Sequence, residues 1–92
     1  MTEIIKTNIS NEFANRFRQL SNDELITTFN REVGVNAFVS SRAAYLSAMH
    51  DEFEQRQWDY SLIGDKTKIS LSQRIELSQK NDGSWMIRTI LN

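Results

Sequence analysis

Residues 68–91 read KISLSQRIELSQKNDGSWMIRTIL, and this stretch decides the fold. Ile69, Leu71, Ile75 and Leu77 share one parity, while Lys68, Ser70, Ser72, Arg74, Glu76 and Ser78 take the other. Alternation with a period of two is the mark of a half-buried strand, whose successive side chains point to opposite faces. Gln73 interrupts the pattern and marks a bend or bulge. Asn81-Asp82-Gly83 is turn chemistry, because Gly supplies the positive φ that tight hairpins use. Trp85 to Leu91 then reads as the return strand. It is apolar on both parities (Trp85, Ile87 and Leu91; Met86 and Ile90), so both of its faces are covered or one of them is an interface. The first strand outruns its mate, and its early part, Lys68–Ser72, calls for another partner. Thr2–Lys6 is a candidate short N-terminal edge strand, and a second chain is the alternative. An isolated hairpin is marginal in water, so this one rests on the elements before it.

Those elements carry helical periodicity. Ile9, Phe13, Phe17 and Leu20 make one apolar stripe, which predicts a short helix over Ser10 to Gln19. Ser21 and Glu24 stand at the capping-box spacing, Leu20 and Leu25 at the positions of a hydrophobic staple, and Asp23 and Glu24 at the positive end of a helix dipole. With Leu25, Ile26, Phe29 and Val33 as its stripe and Gly34 as its stop, a second helix is predicted over 22–33. Ser40 or Ser41 is placed to cap a third helix that runs to about Gln57, with Tyr45, Leu46, Met49 and Phe53 among its apolar positions. Trp58–Ile63 is predicted to fold back over the core. The expectation is a single α+β domain over residues 1–92, with three N-terminal helices packed on a C-terminal antiparallel β-hairpin.

Composition narrows the function. At 92 residues the chain has room for one core, burying roughly two-thirds of the surface that the unfolded chain exposes. Cysteine is absent, which removes disulfides and thiolate metal sites and suits the cytoplasm. No apolar run approaches the roughly twenty residues that a membrane-spanning helix needs, and Met1–Lys6 lacks the basic and apolar regions of a signal peptide. Net charge is -1. Residues 1–62 hold six Lys/Arg against nine Asp/Glu, and residues 63–92 hold five against three, so the C-terminal part alone is basic.

The chemistry-bearing patterns are sparse. His50 and Glu54 lie four apart on one helical face, a spacing that suits a metal pair, but two ligands on one helix recur in ordinary charged helices. The reading taken is a solvated His beside the acidic residues Asp51, Glu52 and Glu54. No serine sits in a glycine-flanked elbow, and Gly34, Gly64 and Gly83 are too far apart for a phosphate loop. The sequence therefore predicts no enzyme, no cofactor and no metal site. Two binding readings stand. One is an interaction domain for another protein or a second copy, with Phe38, Trp58, Tyr60, Trp85, Met86 and Ile90 as its candidate anchors. The alternative is a winged-helix nucleic-acid binder, with 41–57 as reading helix and Asn81–Ser84 as wing tip. Its candidate contacts are Arg42, Lys66, Lys68, Arg74, Lys80 and Arg88. The net-acidic third helix and the absence of an overall basic excess stand against that alternative.

Overall fold

The computed structural model describes residues 11–35 and 41–90. It contains α1 (11–18), α2 (Asn22–Glu32), α3 (Arg42–Gln55), β1 (Ile75–Gln79) and β2 (Trp85–Thr89), so three helices precede one antiparallel hairpin. Phe38 and the candidate strand Thr2–Lys6 lie outside the described residues. Among the described residues no helix is long and apolar enough to cross a membrane.

The start of α2 follows its local code. The Ser21 hydroxyl accepts from the Glu24 N–H at 3.1 Å, and the Glu24 carboxylate accepts from the Ser21 N–H at 2.9 Å. This reciprocal closure satisfies two otherwise unpaired donors and aims Leu25 and Phe29 into the core, where both are fully buried. Gly34 follows the helix with φ +82°, in the left-handed region expected of it. At α3 the cap differs from expectation: Ser41 makes no side-chain cap bond, and only its carbonyl takes the Tyr45 N–H.

The end of α3 carries a device that composition does not announce. The helix stops at Gln55 rather than at 57, because Gln57 adopts φ +60°. Gln57 N–H then bonds Glu54 O at 3.0 Å, Trp58 N–H bonds Phe53 O at 3.1 Å, and the Phe53 and Trp58 rings stack at 5.4 Å. These two bonds and one apolar contact make a Schellman closure, built with Gln where Gly is usual.

Between the two residues of that closure and the helix sits Arg56. Its Nε donates to Glu52 Oε2 at 2.7 Å, Nη1 to Asn22 Oδ1 at 2.9 Å, and Nη2 to the carbonyls of Phe17 and Leu20 at 2.9 and 2.7 Å. The guanidinium also lies 5.5 Å from the centre of the Trp58 ring. One side chain thus closes the C-terminal end of α1, fixes the first turn of α2 and compensates Glu52, which is only 8% exposed. The planar fork of Arg suits such a set of acceptors, and an ammonium does not.

The hairpin pairs Ile75 with Thr89 through Gln79 with Trp85. Three odd positions turn inward: Ile75 and Ile87 are fully buried and Leu77 packs against the core with them. Both expected strands are shorter than predicted. Ile69 and Leu71 are buried as their parity implies, but the chain bends at Ser72 and Gln73 before β1 begins. The partner that Lys68–Ser72 requires is internal. Ser70 N–H bonds Ile63 O at 2.7 Å, Asp65 N–H bonds Lys68 O at 2.9 Å, and Gly64 bridges Ile69. A Cβ on Gly64 would sit 2.3 Å from the Lys68 carbonyl oxygen, so this crossing admits no larger residue. At the other end, β2 stops at Thr89, one residue short of Ile90, and Leu91 lies outside the described residues.

Two stability measurements check this account. Arg56→Ala leaves Glu52 buried without its partner and is expected to lower unfolding stability by about 3 kcal/mol, the range for one partner removed from a buried pair. Adding Glu52→Ala is expected to cost less than the sum of the single changes, as read by urea unfolding. Gln57→Gly relieves the left-handed backbone, and after the entropy of the freer unfolded chain is offset it is expected to gain about 0.5 kcal/mol or more.

Candidate functional site

The segment after α3 turns back and lies against the outer edge of β2. Asp59 N–H bonds Trp85 O at 2.9 Å and Ile87 N–H bonds Asp59 O at 2.7 Å, a short parallel bridge. Between this segment, the end of α3 and the hairpin tip opens a shallow groove of about 650 Å³. Trp58 and Tyr60 form its floor, 4% and 8% exposed, and Trp85 stands on its rim, 36% exposed. Lys66, Lys80, Glu54 and Asp65 supply charge around it.

Each loop that shapes the groove is braced by the same motif. Asp59 Oδ1 accepts the N–H and hydroxyl of Ser61 at 3.0 and 2.7 Å. Asp65 holds Thr67 in the same way at 2.9 and 2.6 Å, and Asp82 holds Ser84 at 2.9 and 2.6 Å. An Asp whose carboxylate grips the residue two further on is a local turn that needs no tertiary support. The Asp-x-Ser/Thr spacing at 59–61, 65–67 and 82–84 was the sequence signal for this groove, and a search for caps and catalytic elbows passes over it. Asp59 also accepts from Lys80 Nζ at 2.7 Å. That bond first, and those from Ser61 next, hold its carboxyl well below the usual carboxylate range. The same kind of bonding, from Thr67 and from Ser84, lowers Asp65 and Asp82.

Tyr60 ties the groove floor to α3. Its hydroxyl donates to Glu54 Oε2 at 2.9 Å and lies 3.0 Å from His50 Nε2. His50 Nε2 is also 2.9 Å from the carbonyl oxygen of Asp65. A carbonyl only accepts, so Nε2 carries the hydrogen. His50 is therefore not the solvated residue expected from its acidic neighbours. It is half-buried and braces the 58–65 segment. The His50 and Glu54 pair considered for a metal is joined through the Tyr60 hydroxyl instead. Among the described residues no group of three or more His, Asp or Glu is arranged to hold a metal ion.

The other candidate residues separate. Met86 and Ile90 are half-buried at β2 and just beyond it. Arg42 and Lys68 flank a smaller hollow beside Gly64, and Lys66 stands in the groove. Arg74 is exposed, Lys80 is paired with Asp59, and Arg88 lies opposite Glu76 in the hairpin register. The exposed face of α3 shows Ala43, Ser47, Asp51, Glu54 and Gln55, with two acids and no base.

No protein-family model, no curated protein and no solved structure matches the chain.

Both tyrosines resist ionisation. Burial first, and the bonded Glu54 next, push the Tyr60 phenol up to about 12 from the ordinary 10.0, while burial and the charge of Glu32 push Tyr45 well up. A raised phenol favours the folded state below pH 10, and that contribution fades as pH climbs to about 12. Tyrosinate absorbance is expected to stay flat through pH 10 and to rise only near 12, together with loss of the circular-dichroism signal. A folded protein with one tyrosine titrating at its ordinary value would contradict the buried network.

Proposed function

We propose that this chain is a non-enzymatic protein-interaction domain, working in the cytoplasm, that seats a segment of another protein in the groove floored by Trp58 and Tyr60. The observation that carries this reading is Trp85. A tryptophan held at the rim of an aromatic groove, with its backbone carbonyl fixed by Asp59, is a large anchor presented at little entropic cost. Tryptophan and tyrosine dominate interface energetics for that reason, and a rigid pocket avoids ordering costs on binding.

Charge guides the choice of partner class. Lys80 is neutralised by Asp59, and Glu54 and Asp65 offset Lys66, so the groove has no basic field for phosphates. An apolar residue of a peptide, inserted against Trp58, Tyr60 and Trp85, is the ligand that this lining favours.

Selection from a random peptide display library is the test. Enriched peptides are expected to carry a bulky apolar anchor and to bind Trp85→Ala at least about tenfold more weakly, the loss typical of an interface anchor. Duplex DNA at low salt, titrated at tens of micromolar as a parallel arm, is expected to leave the tryptophan fluorescence unchanged. Peptides that bind wild type and Trp85→Ala equally would end the groove reading, and DNA binding would favour the winged-helix alternative.

A further inference from the structure

The hairpin has two outer edges, and they are treated differently. Ile90 N–H bonds Arg74 O and Lys80 N–H bonds Ser84 O, so even-numbered residues turn their backbone groups toward the partner strand. Odd-numbered residues turn theirs outward. On β2, Trp85 and Ile87 are met by Asp59. On β1, Ile75 is met by the side chain of Asn30, whose Oδ1 accepts the Ile75 N–H at 2.7 Å and whose Nδ2 donates to the Ile75 carbonyl at 2.9 Å. That amide imitates one residue of a neighbouring strand. Beyond it, the outward N–H and C=O groups of Leu77 and Gln79 have no backbone or side-chain partner among the described residues.

We infer that β1 pairs through this edge with β1 of a second copy, antiparallel about a two-fold axis at Ser78. The inference uses none of the groove's aromatic lining, and Lys80 is the one residue that the two share. Three observations select the occupant and the register. Centring on Ser78 sets Leu77 against Gln79 of the partner and Gln79 against Leu77 of the partner, so the free groups satisfy each other reciprocally and none of those bound to Asn30 is needed. The same register sets Glu76 beside Lys80 of the partner, opposite charges repeated by the symmetry, with the Lys80 ammonium shared with Asp59 of its own chain. The register centred on Leu77 fails on both counts, because it needs the groups of Ile75 and sets Arg74 beside Lys80. The remaining open part of the β2 edge, at Ile87 and Thr89, would centre on Arg88 and face two arginines across the axis, an arrangement that blocks self-pairing. The edge of β1 has no such guard, since its central residue is a serine.

Because the chain has no cysteine, a single introduced thiol reports the geometry directly. Residues on the axis form a non-hydrogen-bonded pair with Cα atoms about 4.5 Å apart, within reach of a disulfide. Ser78→Cys under mild oxidation is expected to give covalent dimer at least about tenfold faster than Ser84→Cys at the exposed hairpin tip, an excess that proximity on the axis supplies. Adding Gln79→Pro removes an outward N–H while sparing the bonds to β2, and is expected to return cross-linking to the Ser84→Cys rate. Ser78→Cys that cross-links no faster than Ser84→Cys overturns the inference. So does Ser78→Cys cross-linking that survives Gln79→Pro, since it would not depend on the strand edge.

Discussion

The helix layer of this small domain is joined at Arg56. Its guanidinium meets one carboxylate, one side-chain amide and two helix-end carbonyls, with a tryptophan ring beside it. A charge this enclosed is stable only when its donors are met, so the positions of α1, α2 and the end of α3 are fixed relative to one another. Trp58 is set by the same residue and by the helix closure that follows it. The groove floor is therefore an extension of the helix layer, not of the hairpin. Local and tertiary requirements agree at this point, which is what allows a chain of 92 residues without disulfides to hold one arrangement.

The elements that follow local rules were legible in advance. The capping box of α2, the hairpin turn and the two-residue period of Ile75 and Leu77 act over a few residues, and their sequence marks are direct. Elements that depend on distant partners were not. Gln57 carries no glycine to mark the end of α3, and it holds its left-handed backbone because Phe53 and Trp58 stack across the closure. Ile69 and Leu71 keep the parity of a strand, yet they belong to a separate turn closed on Ile63 and Gly64. Burial sets parity, and hydrogen bonding sets strand length, so the pattern alone could not tell them apart. At the site, Trp85 keeps part of its indole exposed, while Trp58 and Tyr60 are buried more deeply than their positions after a helix suggest. His50 looked solvated because three acids surround it, and its true partners come from residues ten and fifteen positions away.

The division of labour around the groove follows from these constraints. Three carboxylates, Asp59, Asp65 and Asp82, each close a local turn, so the walls are held without a large core beneath them. Tyr60 and His50 fasten the floor to α3. The large apolar side chain left exposed at the groove is the indole of Trp85, on backbone fixed by Asp59. A surface rigid before binding loses little entropy on binding, and that is the physical case for recognition here. The edges of the hairpin obey the same economy. Asn30 and Asp59 each seal part of an edge with a single residue, leaving short open stretches rather than a long template for uncontrolled pairing.

Arg56 joins the helix layer and the groove into one cooperative unit, and native-state hydrogen exchange on Arg56→Lys is the decisive measurement. A lysine keeps the charge and loses the fork. The amides of Asp59 and Ile87, which sit in the bridge beyond Trp58, are expected to lose protection together with those at the α1–α2 junction, by about tenfold or more. Loss confined to the α1–α2 junction, with Asp59 and Ile87 protected as in the wild type, would contradict it.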